Sequence, residues 1–154
     1  MEQREKQKMM RYDPLTDAER SERMSRIRNA DTKPEMIVRR LVHGMGYRYR
    51  LHARDLPGNP DLAFRPRKKV IFVHGCFWHR CPTCNPPNPK SHSEFWTRKF
   101  ELNVERDARK RGQLEDAGWM VIEVWECAVR DRLPEVIAEI TARLAARPRV
   151  ASAV

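Results

Sequence analysis

The chain has 154 residues, of which 40% are hydrophobic and 34% charged, and its formal net charge is +10. This length supports one folded unit with a sizeable core, but no run reaches the roughly 18 apolar residues of a membrane-crossing helix and Met1–Lys6 has no apolar signal region. A cytoplasmic protein with no membrane partner is expected, and the excess of Lys and Arg, spread over 20–28, 39–50, 65–69 and 106–111, points to a polyanionic partner, nucleic acid above all.

In chain order, residues 1–14 are polar and aperiodic and are expected to form a disordered tail. Asp17 is placed to cap a first helix running to about Ala30, with Met24 and Ile27 on a thin apolar stripe. Thr32 and Glu35 have capping-box spacing and open a second helix over 33–45, whose apolar face is Met36, Ile37, Leu41 and Val42. Tyr47–Leu51 reads as a strand. Pro57-Gly58-Asn59-Pro60 is a turn, and 61–64, a turn at 66–68 and 69–74 have a hairpin pattern. Four prolines keep 80–92 irregular. Ser91 and Glu94 repeat the capping-box spacing ahead of a long helix to about Ala117, with Gly118 as its stop. A strand at 119–125 and a helix from Pro134 to about Ala146 follow, and 148–154 is expected to be a loose tail. The order α-α-β-β-β-α-β-α over a single domain at 15–147 predicts an α/β fold, a mixed sheet flanked by helices.

The densest chemistry lies at His74-Gly75-Cys76-Phe77-Trp78-His79-Arg80-Cys81-Pro82-Thr83-Cys84, directly after the apolar run Val70–Val73. All four cysteines of the chain are Cys76, Cys81, Cys84 and Cys127. If the strands at 69–74 and 119–125 are neighbours, the four converge. A closed set of four thiolates, including the Cys81/Cys84 C-x-x-C pair, suits a structural Zn2+. His74 and His79 are alternative ligands, and a redox pair or free buried thiols are the competing readings. Asp61 starts a strand after a Pro-containing turn, a position suited to Mg2+ or to capping the turn. His79 is a zinc ligand or a free imidazole able to activate water near neutral pH. Asp107, four residues after Asn103 on one helix face, can orient an imidazole or sit as a solvated charge.

Several motifs in register then carry a resemblance. Gly58–Asp61, Phe72–His79, Glu94-Phe95-Trp96, Asn103–Asp107, Gly118-Trp119 and Val124–Ala128, with Met24 and the 32–35 segment upstream, closely resemble the very short patch repair (Vsr) endonucleases over roughly 17–140. The resemblance implies a restriction-endonuclease-like core of the PD-(D/E)xK type. It implies a Mg2+-dependent DNA endonuclease that nicks one strand of double-stranded DNA 5′ to the T of a T:G mismatch left by deamination of 5-methylcytosine, starting DNA repair alongside mismatch-repair proteins. By the same resemblance Asp61 and the main-chain carbonyl of Val73 hold Mg2+, His79 is the general base oriented by Asp107, His74 contacts the scissile region, and Glu35 lies near the site. Phe77, Trp78 and Trp96 would wedge into the base stack, with Met24 entering from the minor groove; core packing is the alternative for the three aromatics. Two positions depart from the family pattern. Val73 stands where Thr is common, and Cys81 stands where a zinc-ligating histidine is usual, which leaves a four-thiolate site. The remaining readings are a nuclease of the same fold serving a restriction–modification system, or a zinc-stapled DNA-binding module without catalysis. A monomer is expected.

Overall fold

In the computed structural model, residues 15–25 and 30–147 are described, Met24 and Ser25 by their backbone only. The expected tails at 1–14 and 148–154, and the first helix beyond Ser25, lie outside the described residues. The elements are α1 (Asp17–Ser25), α2 (Lys33–Gly44), β1 (Arg50–Leu51), β2 (Leu62–Phe64), a 3-10 turn (Arg65–Arg67), β3 (Lys69–His74), α3 (Cys76–His79), α4 (Ser93–Asp116), β4 (Met120–Trp125), α5 (Glu126–Asp131) and α6 (Leu133–Ala145).

Alternation along the strands builds two cores. The sheet has the order β1-β2-β3-β4, with β1/β2 and β2/β3 antiparallel and β3/β4 parallel. Successive Cβ atoms point to opposite faces. Leu62, Phe64, Ile71, Ile122 and Val124 therefore meet Val38 and Val42 of α2, Val129 of α5, and Val136, Ile140 and Leu144 of α6. On the other face Ala63, Val70 and Val121 pack with Ala53 and with Leu114 of α4. A strand buried on both faces reads as a continuous apolar run, which is what Val70–Val73 shows. The parallel register pairs Val70 with Val121 and His74 with Trp125. It thus carries the ends of both strands, and the cysteines just beyond them, to one edge of the sheet.

The mixed α/β expectation agrees with this architecture, and several local expectations do not. The strand at 47–51 shrinks to two residues. Tyr47 and Tyr49 turn edge-on to Phe64 instead, and the Tyr49 hydroxyl donates to the Arg39 carbonyl at 3.0 Å. The α1 cap is Thr16 rather than Asp17: its Oγ1 accepts from Glu19 N–H (3.2 Å) while Glu19 reaches back to Thr16 N–H (2.8 Å), a reciprocal capping box. Asp17 pairs with Arg20 instead. Neither anticipated capping box forms. Thr32 makes no side-chain cap, and the Glu35 carboxylate accepts the Asp31 N–H at 2.9 Å while its other oxygen pairs with Arg39; α4 follows His92 without a side-chain cap. Two short helices, α3 and α5, appear where none was expected. Gly118, at φ +86°, does close α4, with Trp119 N–H donating to Leu114 at 2.9 Å. The buried Lys69 ends α6: its ammonium donates to the carbonyls of Arg143 (2.6 Å), Leu144 (2.8 Å) and Ala146, groups a helix leaves unpaired.

Candidate active site and cysteine cluster

The turn ahead of β2 delivers Asp61. Gly58 sits at φ +77°, and a Cβ there would lie 3.2 Å from the Phe72 ring, so both conformation and space favour glycine. Asp61 Oδ2 accepts the Val73 N–H at 2.7 Å, which locks the carboxylate to the centre of the sheet. Burial raises its pKa to about 6, the Val73 N–H opposing and the charge of Glu35 adding to the rise.

Beyond β3, Gly75 starts the single turn of α3, and His79 N–H donates to the Gly75 carbonyl at 3.1 Å. This turn sets His79 against α4, where its Nδ1 lies 2.5 Å from Asp107 Oδ2. Four residues earlier Asn103 Nδ2 donates to the Trp78 carbonyl at 3.1 Å, so one face of α4 grips α3 at two points. Burial works against the Asp107 charge, but the His79 hydrogen bond and the neighbouring cations hold its pKa below the usual carboxylate range. The buried His74 ring stands 4.4 Å from His79 and stacks on Phe72. Its Nε2 is 3.7 Å from Glu123 Oε1, which also accepts Arg111 Nη1 at 3.1 Å. Hydrogen bonding to His74 and the charges of His74 and Arg111 lower the Glu123 pKa against burial. Ligand atoms of His74, His79 and Asp107 lie within 4.8 Å of one another. An imidazole whose Nδ1 is held by a carboxylate keeps Nε2 for proton transfer.

Glu35 is 2% exposed and belongs to a second cluster, beside Asp61. Arg39 Nη2 reaches Glu35 Oε1 and Asp31 Oδ1, each at 2.5 Å, and His52 Nε2 at 2.9 Å. His52 and Glu123 escaped the sequence reading. Glu123 had a signal, as the one charged residue in the apolar run 119–125; His52 had none beyond being a lone histidine at a strand end.

The four cysteines come together as expected. Cys76 opens α3, Cys81 and Cys84 follow in the Pro-rich loop, and Cys127 lies in α5. Their sulfurs lie within 4.8 Å of one another, all four are free thiols, and Cys84 alone is exposed. Cys81 and Cys127 Sγ are 3.7 Å apart, and Cys127 N–H donates to Cys76 Sγ at 3.3 Å. Burial raises the Cys76 pKa; for Cys81 burial is outweighed by the N–H groups of Cys84 and Thr83, which bring it down to about 7. Four sulfurs and no oxygen match the donor set of a tetrahedral Zn2+. His74 and His79 group with Asp107 instead.

Phe77 and Trp78, on α3, are half-buried and meet edge-to-face at 5.0 Å. Phe77 packs against Phe100 (5.1 Å) and Trp96 (5.6 Å). Trp96 is buried and stacked on Phe100, so it forms the floor under the other two rings. Met24 lies on α1; its side chain is outside the described residues.

The sequence model of the family described as DNA mismatch endonuclease Vsr matches residues 12–85. The type II nicking enzyme V.XorIIP of Xanthomonas oryzae pv. oryzae is 45% identical over 119 residues, covering 77% of this chain and 88% of its own. The type II nicking enzyme V.NmeAIP of Neisseria meningitidis is 39% identical over 135 residues, covering 83% and 96%. The DNA mismatch endonuclease Vsr of Escherichia coli is 40% identical over 127 residues, covering 82% and 81%.

Proposed function

The chain belongs to the DNA mismatch endonuclease Vsr family, and from that membership and the site's geometry we propose that it nicks one strand of duplex DNA 5′ to the T of a T:G mismatch. The observation that carries the catalytic reading is the His79–Asp107 pair at 2.5 Å, with the His74 ring beside it close enough for its charge to act on the largely buried Asp61 carboxylate. A pure DNA-binding surface gains nothing from a buried carboxylate that repels phosphate.

Asp61 would hold Mg2+ together with the main-chain carbonyl of Val73, the residue whose N–H already fixes that carboxylate. A hard cation on one or two carboxylate or carbonyl oxygens keeps open positions for water and phosphate, and when bound it withdraws charge from the phosphoryl oxygens. His79 Nε2 takes a proton from the attacking water, and Asp107 stabilises the imidazolium that forms. His74, fixed by Phe72 and Glu123, faces the scissile group. We read the mixed sheet as a restriction-endonuclease-like core, with the acidic residue at the start of a central strand.

The four cysteines would hold a structural Zn2+, stapling α3 and the Pro-rich loop to α5; the all-sulfur donor set supports this. Phe77 and Trp78 would enter the base stack, braced from below by Trp96 and Phe100, and Met24 would approach from the minor groove. Unstacking costs a few kcal/mol and least at a mismatched step, which favours T:G over a paired site. The positive charge supplies phosphate affinity independent of sequence. Such mismatches arise when 5-methylcytosine deaminates, so the reaction would open a repair tract, with the enzyme acting as a monomer.

The test is a nicking assay on one end-labelled duplex carrying T:G beside its T:A control, each with Mg2+ or EDTA. Mg2+-dependent nicking of the T strand in the mismatched duplex alone is the expected result. Equal nicking of both duplexes would indicate a nuclease without mismatch preference, and tight binding without cleavage a binding module; either outcome overturns the proposal.

A further inference from the structure

The cluster beside Asp61 has the donor chemistry of a second metal site, but its centre is already taken. Ligand atoms of Asp31, Glu35 and His52 lie within 4.8 Å of one another. The Arg39 guanidinium sits among them and hydrogen-bonds to all three. It is a cation built into the chain, 8% exposed, held by α2 and by the loop before it. Its neighbour His52 faces two ways. Nε2 lies 3.3 Å from Glu35 Oε1 and 2.9 Å from Arg39 Nη2, while Nδ1 lies 3.9 Å from Asp61 Oδ1. The Val73 N–H holds the opposite carboxylate oxygen, Oδ2. One oxygen of Asp61 is thus hydrogen-bonded from β3, and the other faces the His52 ring, from the segment after β1, at 3.9 Å.

The backbone supports a dedicated role for this segment. His52 N–H donates to the Asp61 carbonyl at 3.1 Å, and Ala53 N–H to that of Pro60 at 3.2 Å, so 52–53 is zipped onto the turn that presents Asp61. His52 is held at φ +47°, and Asp31 and Asn59 around the same cluster also have positive φ. Non-glycine residues persist in that region where surrounding structure over-determines them, and such residues gather at functional sites.

We propose that His52, anchored by Arg39 and Glu35, is a positioning residue that sets the Asp61 carboxylate for a divalent cation. The inference rests on the reading of Asp61 as the Mg2+ ligand. It also gives Glu35 a role at a distance: Glu35 acts through His52 and does not contact the DNA. Groups that orient a metal-binding carboxylate typically change metal affinity about 10- to 100-fold when removed.

The test is calorimetric titration of the full chain with Mn2+, in the absence of DNA and with the zinc content checked. His52→Asn is the main variant, because Asn accepts positive φ and is too short to span from Glu35 to Asp61. It should bind Mn2+ at least about tenfold more weakly. Arg39→Gln should weaken it in the same direction. Val42→Ala, a cavity on the same helix, should lower the unfolding temperature while leaving Mn2+ affinity unchanged. DNA binding in EDTA should be retained by His52→Asn. Mn2+ affinity within twofold of the native chain for His52→Asn overturns the inference, as does an equal loss in Val42→Ala, which would mark the effect as general destabilisation. A native chain that binds no Mn2+ and nicks DNA in EDTA would instead remove the metal reading of Asp61 itself.

Discussion

Asp61→Asn should make this protein more stable while abolishing nicking. The Asp61 side chain is 16% exposed, and burial raises its pKa from 3.8 to about 6. Well below pH 3.8 the carboxyl is protonated in the folded and unfolded chain alike and has no effect on stability. As pH rises from 3.8 to about 6 the unfolded chain releases the proton first, so the fold loses stability across that window. Above it the full loss is present. At about 1.4 kcal/mol per pH unit this amounts to about 3 kcal/mol. Asparagine removes the charge and keeps an oxygen for the Val73 N–H, so the hydrogen bond survives. Urea denaturation in EDTA should find the variant more stable by about 3 kcal/mol at pH 8, with the gap closing toward zero at pH 4. Saturating Mg2+ should narrow the gap at pH 8 by stabilising the native carboxylate alone. A gap that does not change between pH 4 and pH 8, or a variant less stable than the native chain at pH 8, would refute the reasoning.

Other perturbations separate the remaining roles. Asp107→Asn should slow single-turnover nicking by about a hundredfold to ten-thousandfold with DNA affinity kept in a gel-shift assay; a rate near the native one would remove Asp107 from the mechanism. Cys84→Ser opens the cysteine cluster at its exposed corner, so mass spectrometry should find one zinc per native chain and none in the variant, which should also unfold at lower temperature. A native chain isolated without zinc would contradict the structural-metal reading. Phe77→Ala should cut the T:G over T:A nicking ratio by an amount worth about 1–3 kcal/mol, whereas an unchanged ratio would assign Phe77 to packing against Trp96 and Phe100. Lys69→Met leaves the last carbonyls of α6 unpaired and should cost about 1–3 kcal/mol of stability without altering nicking well below the melting temperature.

Local signals carried far in this chain. The runs at 70–73 and 120–125 are strands rich in β-branched and aromatic residues and bounded by turns, and the short apolar run at 62–64 pairs beside them. Gly118 stops α4 because only its backbone takes φ +86° without strain. The four cysteines were legible as one cluster because two adjacent strands ending in cysteines bring them together, and the parallel β3/β4 register does so. The i, i+4 spacing of Asn103 and Asp107 already put both on one helix face, which proved to be the face that grips α3.

Partner choice was not legible, because it depends on what competes in three dimensions. Glu35 has capping-box spacing, yet one carboxylate oxygen takes the Asp31 N–H rather than that of Thr32 and the other meets Arg39 and His52 once α2 packs beside Asp61. Thr16 rather than Asp17 caps α1, since Glu19 closes the box from the other side and Arg20 takes Asp17. Glu123 and His52 are single polar residues whose significance comes from approach to His74 and Asp61, 49 and 9 residues away in sequence. The sequence by itself determined the types of the longer elements, the cysteine count and the residue chemistry, all of which are properties of short windows. Which carboxylate is buried enough to carry a raised pKa, and which imidazole it faces, follow from contacts between distant segments. Only the tertiary structure decided those.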